Sequence, residues 1–128
     1  MSITRFKLVF FSPKESTSKI LDHLFRACPK TLGNIGEYER CAFVTRGTGQ
    51  FMPKQTANPT IGSAGQLEFV EEDRVEVLVS DATSTREEVK QAIKELKNIH
   101  PYEEVAYDVY KLEDLRRHRF ILCSAHTY

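Results

Sequence analysis

His100-Pro101-Tyr102-Glu103-Glu104 places an imidazole, a proline, a phenol and two carboxylates in five consecutive residues. Imidazole with carboxylate is a donor set that zinc, copper and nickel accept. Read for chemistry, His100, Glu103 and Glu104 form a candidate divalent-metal cluster, with copper or zinc as the expected ion. The competing reading is structural. An imidazole at a helix end meets free carbonyls, Pro101 fixes a turn, and Tyr102 packs. Alternate residues of a strand face opposite ways, so only one of the two glutamates can share a side with His100 once a strand has begun.

The second candidate is the segment Gly47–Gly65, which carries four glycines and two prolines without a sustained period. Loops beyond ~12–15 residues are uncommon in compact domains and are usually functional or covered by a partner. Gly47-Thr48-Gly49 could offer backbone N–H groups to a phosphate. A dinucleotide fingerprint is absent because Met52 stands at its third glycine, and no phosphate-binding P-loop pattern occurs. The expected ligand or interface residues are Gly47, Gly49, Phe51, Pro53, Pro59, Gly62 and Gly65, with Lys54 a solvated charge. Nucleophiles are poorly placed. Cys28 and Cys41 read as core, and Cys123 near His126 is weak as a reactive pair. His23 stands in no acid/base constellation. His118 sits in the basic cluster Arg116–Arg119, which reads as a solvated face.

The elements that must position these residues follow from periodicity. Arg5–Phe11 is a short aromatic, apolar run that reads as a buried strand. Ser12-Pro13-Lys14-Glu15 reads as a capping box with proline at the first helical position. Ile20, Leu21, Leu24, Phe25 and Cys28 then recur at helical spacing until Pro29. Tyr38–Gly47 is the second strand candidate, and Gln66–Ser80 the third, with a bulge or bend at Glu71–Asp73. Thr85-Arg86-Glu87-Glu88 reads as another capping box, ahead of an apolar stripe of Val89, Ala92, Ile93, Leu96 and Ile99. His100-Pro101 stops that helix, and Glu104–Leu112 alternates as the last long strand. Residues 1–112 make one domain, and 113–128 a tail in which Arg119–Ser124 suits an extra strand or a contact with a neighbouring subunit.

The order β-α-β, β-α-β predicts an α+β fold: a ferredoxin-like βαββαβ sandwich, an antiparallel sheet with both helices on one face. The face left bare needs a cover, and a second subunit is the natural one. The chain has 128 residues, with 18 Lys+Arg against 18 Asp+Glu. A balanced charge gives no basic face for nucleic acid. Three separated cysteines without metal spacing suit a reduced, intracellular protein. The N-terminus opens no signal peptide, and no apolar run approaches a membrane span. A cytoplasmic setting is expected, with the nucleus as the alternative.

Gly47–Val79 and His100–Leu112 together resemble the insert domain of YqfO-type members of the Nif-three-like family, and Gly33–Phe43 fits the run ahead of that family's glycine-rich loop. The opening of His100–Glu104 is also similar to the CutA proteins, associated with divalent cations and copper. The resemblance implies a CutA/PII-like architecture and a trimer. Larger members of the family hold a pair of metal ions in two flanking lobes that this chain lacks, so it is expected to be the inserted domain standing alone, without the hydrolase activity of those lobes. Met52 replaces the arginine usual ahead of the proline, and Thr56 the glycine usual ahead of the alanine. The expectation is a non-enzymatic, homo-oligomeric binding or regulatory module for a divalent metal or small ligand. The alternatives are an interaction partner with no ligand of its own and, last, a metal-dependent hydrolase.

Overall fold

The structure, a computed structural model, describes residues 2–115. Four strands and two helices occur in the order β1 (Thr4–Pro13), α1 (Thr17–Ala27), β2 (Phe43–Phe51), β3 (Glu68–Asp81), α2 (Glu87–Ile99) and β4 (Tyr107–Lys111). The sheet order is β2-β3-β1-β4, every neighbour antiparallel. This is the expected α+β, ferredoxin-like arrangement. Phe6, Leu8 and Phe10 alternate along β1 and Val75, Val77 and Val79 along β3, so the pleat sends all six to one side. There they meet Ile20, Leu24 and Phe25 of α1 and Val89, Ala92 and Leu96 of α2 in one buried cluster. Both helices therefore cover one face of the sheet. Val9 and Leu78 are buried outside that cluster, on the opposite face. Phe43 and Tyr110 also point to that face and are largely exposed.

Several local expectations are corrected. Ser12-Pro13 is the end of β1, and α1 starts four residues later without a side-chain cap. Ser12 is used differently: it hydrogen-bonds the Thr17 hydroxyl at 2.7 Å, and Thr17 donates to the buried Asp73 carboxylate at 2.6 Å. Arg46 Nε reaches the other Asp73 oxygen at 2.6 Å. Burial works to raise the Asp73 pKa, but the bonds from Arg46 and Thr17 hold it below the usual range. A buried carboxylate is tolerable only with such partners, so this cluster ties the start of α1 to β2 and β3.

The second capping box is likewise displaced. Arg86 is the N-cap of α2 in the left-handed region, with no side-chain cap. The free N–H groups of the first turn go back to the end of β3 instead. Val89 N donates to Asp81 Oδ2 at 3.0 Å, and Glu87 N to Thr83 Oγ1 at 2.8 Å. Glu88 accepts from Ala82 N at 2.8 Å in return.

The second strand starts at Phe43, not Tyr38, and runs through both Gly47 and Gly49. Arg40 at φ 58 and the Ile35–Tyr38 bridge make the preceding segment a turn. Thr31–Gly33 instead continues the ladder beside β3, with Ser80 N donating to Thr31 O and Gly33 N to Leu78 O, each at 2.8 Å. Gly33 has φ +77, and a Cβ there would stand 2.5 Å from the Phe25 ring, so glycine is required. No bulge interrupts Glu71–Asp73, because β3 pairs residue by residue along its length. The last strand is shorter than expected, since Glu104, Val105 and Ala106 precede it and Leu112 follows it. The tail strand at Arg119–Ser124 lies outside the described residues. No helix among the described residues is long and apolar enough to cross a membrane.

Candidate functional site

Residues 52–67 leave β2 and return to β3, and several of them line one cavity with Phe11, Glu72 and Arg74 of the sheet. The loop is held by its own backbone and by His100–Glu104. Gly65 N donates to Pro53 O at 2.8 Å, and Ala57 N to Lys54 O at 3.1 Å. Asn58 N donates to Glu103 Oε1 at 3.1 Å, and the Thr60 hydroxyl to Pro101 O at 2.9 Å. The two sequence candidates are thus one structure: the segment after α2 pins the roof that the glycine-rich segment builds.

Beneath the roof lies a cavity of about 970 Å³. Its floor includes Phe11 of β1, Thr45–Phe51 of β2, and Glu72 and Arg74 of β3. Its walls include Met52, Pro53, Lys54, Ile61, Tyr102, Glu103 and Glu104. Size and mostly apolar lining suit a ligand pocket. Of the expected loop residues, Gly47, Gly49, Phe51, Pro53 and Pro59 line it. Gly62 and Gly65 do not; at φ +84 and +76 they shape the return of the loop. Gly49 is where the Glu72 carboxylate crosses the strand, and a Cβ would collide with it.

His100 is buried and its ring is fully engaged. Nε2 lies 2.6 Å from Phe11 O, which can only accept, so Nε2 carries the proton. Nδ1 accepts from Tyr102 N at 3.1 Å. The tautomer is fixed and no lone pair is free for a metal. Burial lowers its pKa, against the raising influence of the Phe11 bond and the Glu72 charge. Glu103 is bound to the loop, and Glu104 lines the cavity. Among the described residues, no three His, Cys, Asp or Glu side chains stand together as a metal site. The expected cluster of His100, Glu103 and Glu104 is therefore not assembled: His100 faces the end of β1, while the glutamates face the loop and cavity.

Tyr102 matters more than its sequence position suggests. Its ring lies 5.0 Å from that of His100 and 6.5 Å from that of Phe51. Its hydroxyl is buried on the side of Glu72, and among the described residues it meets no hydrogen-bond partner at normal geometry. Burial, and then the Glu72 and Glu15 carboxylates, push its pKa well above the usual phenol value, so it stays a donor. Sequence reading also missed Glu72, Arg74 and Phe11. The signal was the alternation of β3 and β1: whatever stands between the core valines and phenylalanines points to the other face.

The remaining titratable groups do not join this site. His23 Nε2 meets Glu95 Oε1 at 2.8 Å between the helices. Cys28 is buried and Cys41 partly so, both free. His118, Cys123 and His126 lie outside the described residues.

Comparison with known proteins gives a consistent result. No protein-family profile matches the chain. A GTP cyclohydrolase 1 type 2 homolog of Halalkalibacterium halodurans is 40% identical over 107 residues, 84% of this chain but 27% of that protein. The homolog of Mycobacterium tuberculosis is 40% identical over 106 residues, 83% of this chain and 26% of that protein. The chain thus spans about a quarter of the length of the curated relatives it matches. A Bacillus cereus protein related to NIF3 superposes with a TM-score of 0.69 at 36% identity, over 89% of this chain and 27% of that one. Pyrococcus horikoshii CutA superposes with a TM-score of 0.53 at 14% identity, over 91% of this chain and 92% of CutA, a likeness of fold alone.

Proposed function

We propose that this chain, a relative of one segment of the NIF3-related proteins, is a non-enzymatic, homo-oligomeric binding module, a trimer, whose ligand site is the cavity under the 52–67 loop. The observation that carries this reading is the roof itself, fixed from outside by Glu103 and Pro101. A preformed, mostly apolar cavity is the usual form of a binding site. The trimer is supported by the fold shared with CutA and by Phe43 and Tyr110, which stand exposed on the face without helices. Free Cys28 and Cys41 suit a reducing, intracellular setting.

The cyclohydrolase name of the relatives is not carried over, because the alignment reaches only about a quarter of those proteins. A divalent metal as ligand would require His100 to leave both of its backbone partners. Metal affinity is therefore expected to be unchanged in His100→Ala when copper or zinc is titrated by calorimetry. The reading as a whole is tested by a thermal-shift screen of small molecules on wild type and on Glu103→Ala, which releases the roof. A stabilising compound whose effect shrinks in the variant supports it. No shift from any compound, or measurable GTP turnover by the purified chain, overturns it.

A further inference from the structure

We propose that the cavity takes an organic cation: an ammonium group on a small apolar body, with the Glu72 carboxylate as its counter-charge. This rests on the reading of the cavity as the ligand site. Glu72 is partly buried on the cavity floor. Among the described residues its carboxylate meets no ion-pair partner and no hydrogen-bond donor at normal geometry. The basic side chains around it are taken by other acids: Lys14 by Glu71 at 3.0 Å, Arg46 by Asp73 at 2.6 Å and Arg74 by Glu76 at 3.4 Å. Lys54, the remaining base of the lining, is exposed on the loop, where salt and water screen its charge. The Tyr102 hydroxyl is buried on the Glu72 side without bonding it, so both carboxylate oxygens are open to a ligand. A carboxylate held partly out of water without a partner costs free energy, and an incoming cation offsets that cost.

The surroundings select an organic cation over a metal ion. The rings of Phe11, Phe51 and Tyr102 line the cavity with Glu72, and an aromatic face attracts an ammonium group. Met52 and Ile61 add apolar wall for the body that carries it. A divalent ion needs several oxygens in place of its water, and among the described residues no three acids or imidazoles stand together. Gly49 sets where the counter-charge lies. The Glu72 carboxylate crosses β2 there, and a Cβ would collide with it. Glu72 and Phe11 themselves stand on the inner strands β3 and β1, so the site needs no free sheet edge and is compatible with a ring of copies.

The probe is phenylethylammonium, titrated into the full chain and followed by amide chemical shifts. Phenylethanol and phenylpropionate accompany it, because they keep the apolar body and make its charge zero or negative. For so small a molecule a Kd of about 1 mM is expected. Phenylethanol should bind about tenfold more weakly, the worth of one charge-assisted hydrogen bond, and phenylpropionate more weakly still. Glu72→Gln should bring the ammonium within about twofold of the alcohol. Gly49→Ala keeps the charge but displaces it, and should narrow the same gap. Glu104→Gln removes an exposed acid of the lining and should narrow it less than Glu72→Gln does. Equal affinity for ammonium and alcohol in the wild type overturns the inference, whether or not a variant folds. So does a gap unchanged in Glu72→Gln, an equal effect of Glu104→Gln, or no ammonium binding up to about 10 mM. A compound that stabilises the wild type more than Glu103→Ala, found while the ammonium fails, would sink the cation and leave the ligand site standing; failure of both would sink both.

Discussion

At His100 the same two bonds that close the metal option set a pH dependence. The ring is neutral in the folded chain, donating to Phe11 O and accepting from Tyr102 N. Protonating Nδ1 would turn an acceptor into a second donor facing an N–H, in a buried place. The folded pKa is accordingly below the ordinary value, with burial as the main cause. A group that resists protonation only when folded contributes stability that is complete above its unfolded pKa of about 6.5. That stability is lost as pH falls below 6.5, because the unfolded chain then binds the proton more readily. Asp73 and Asp81 act in the same direction but lower, since their folded pKa values lie under the ordinary carboxylate value. Melting temperature should therefore fall in two stages on acidification, the first between neutrality and about pH 5. His100→Gln should remove the first stage and leave the second, as followed by circular dichroism melts. An unaltered first stage in the variant would assign it to another group.

The two helices show where element starts were legible and where they were not. Their apolar stripes were readable, because side chains at helical spacing must meet the same sheet face. Their caps were not. Thr85 and Ser12 have the right type and spacing, yet the N–H groups of α2 are met by Asp81 and Thr83 across the turn from β3, and α1 begins beyond Ser12. A remote carboxylate, buried and already aligned by the strand, outcompetes a flexible local hydroxyl. Asp81→Ala should then cost about 2 kcal/mol, at the upper end for a helix cap because a buried acceptor of several bonds is lost. Thr85→Ala should cost less than about 0.5 kcal/mol, since its hydroxyl meets only the exposed Glu87 side chain. Urea titration of both variants separates the two, and similar losses would restore Thr85 as the cap. The shift of β2 has the same origin: pairing with β3 carried the strand through Gly47 and Gly49 against local preference. The cavity depended on that shift. Its loop half was visible in composition, and its sheet half only once β2 was in register.

For the molecule as a whole, the ferredoxin-like order follows from two β-α-β halves, and it fixes which side is left without helices. Phe43 and Tyr110 stand on that side at opposite margins, on the two edge strands β2 and β4. In the proposed trimer a contact that joins the β2 margin of one copy to the β4 margin of the next is head-to-tail, and a ring closes it. Each such contact buries both aromatic rings, with ~1.5–3 kcal/mol for each fully buried side chain. Phe43→Lys and Tyr110→Lys should each give protomers by light scattering, with unchanged far-ultraviolet circular dichroism because neither residue belongs to the buried cluster. The mixture discriminates further. Phe43→Lys keeps the Tyr110 margin, and Tyr110→Lys keeps the Phe43 margin, so one intact contact can form between unlike variants. Mixing them should yield dimers and nothing larger. A self-complementary contact would give no association on mixing, and a wild-type chain that stays a protomer across a wide concentration range would remove the ring altogether.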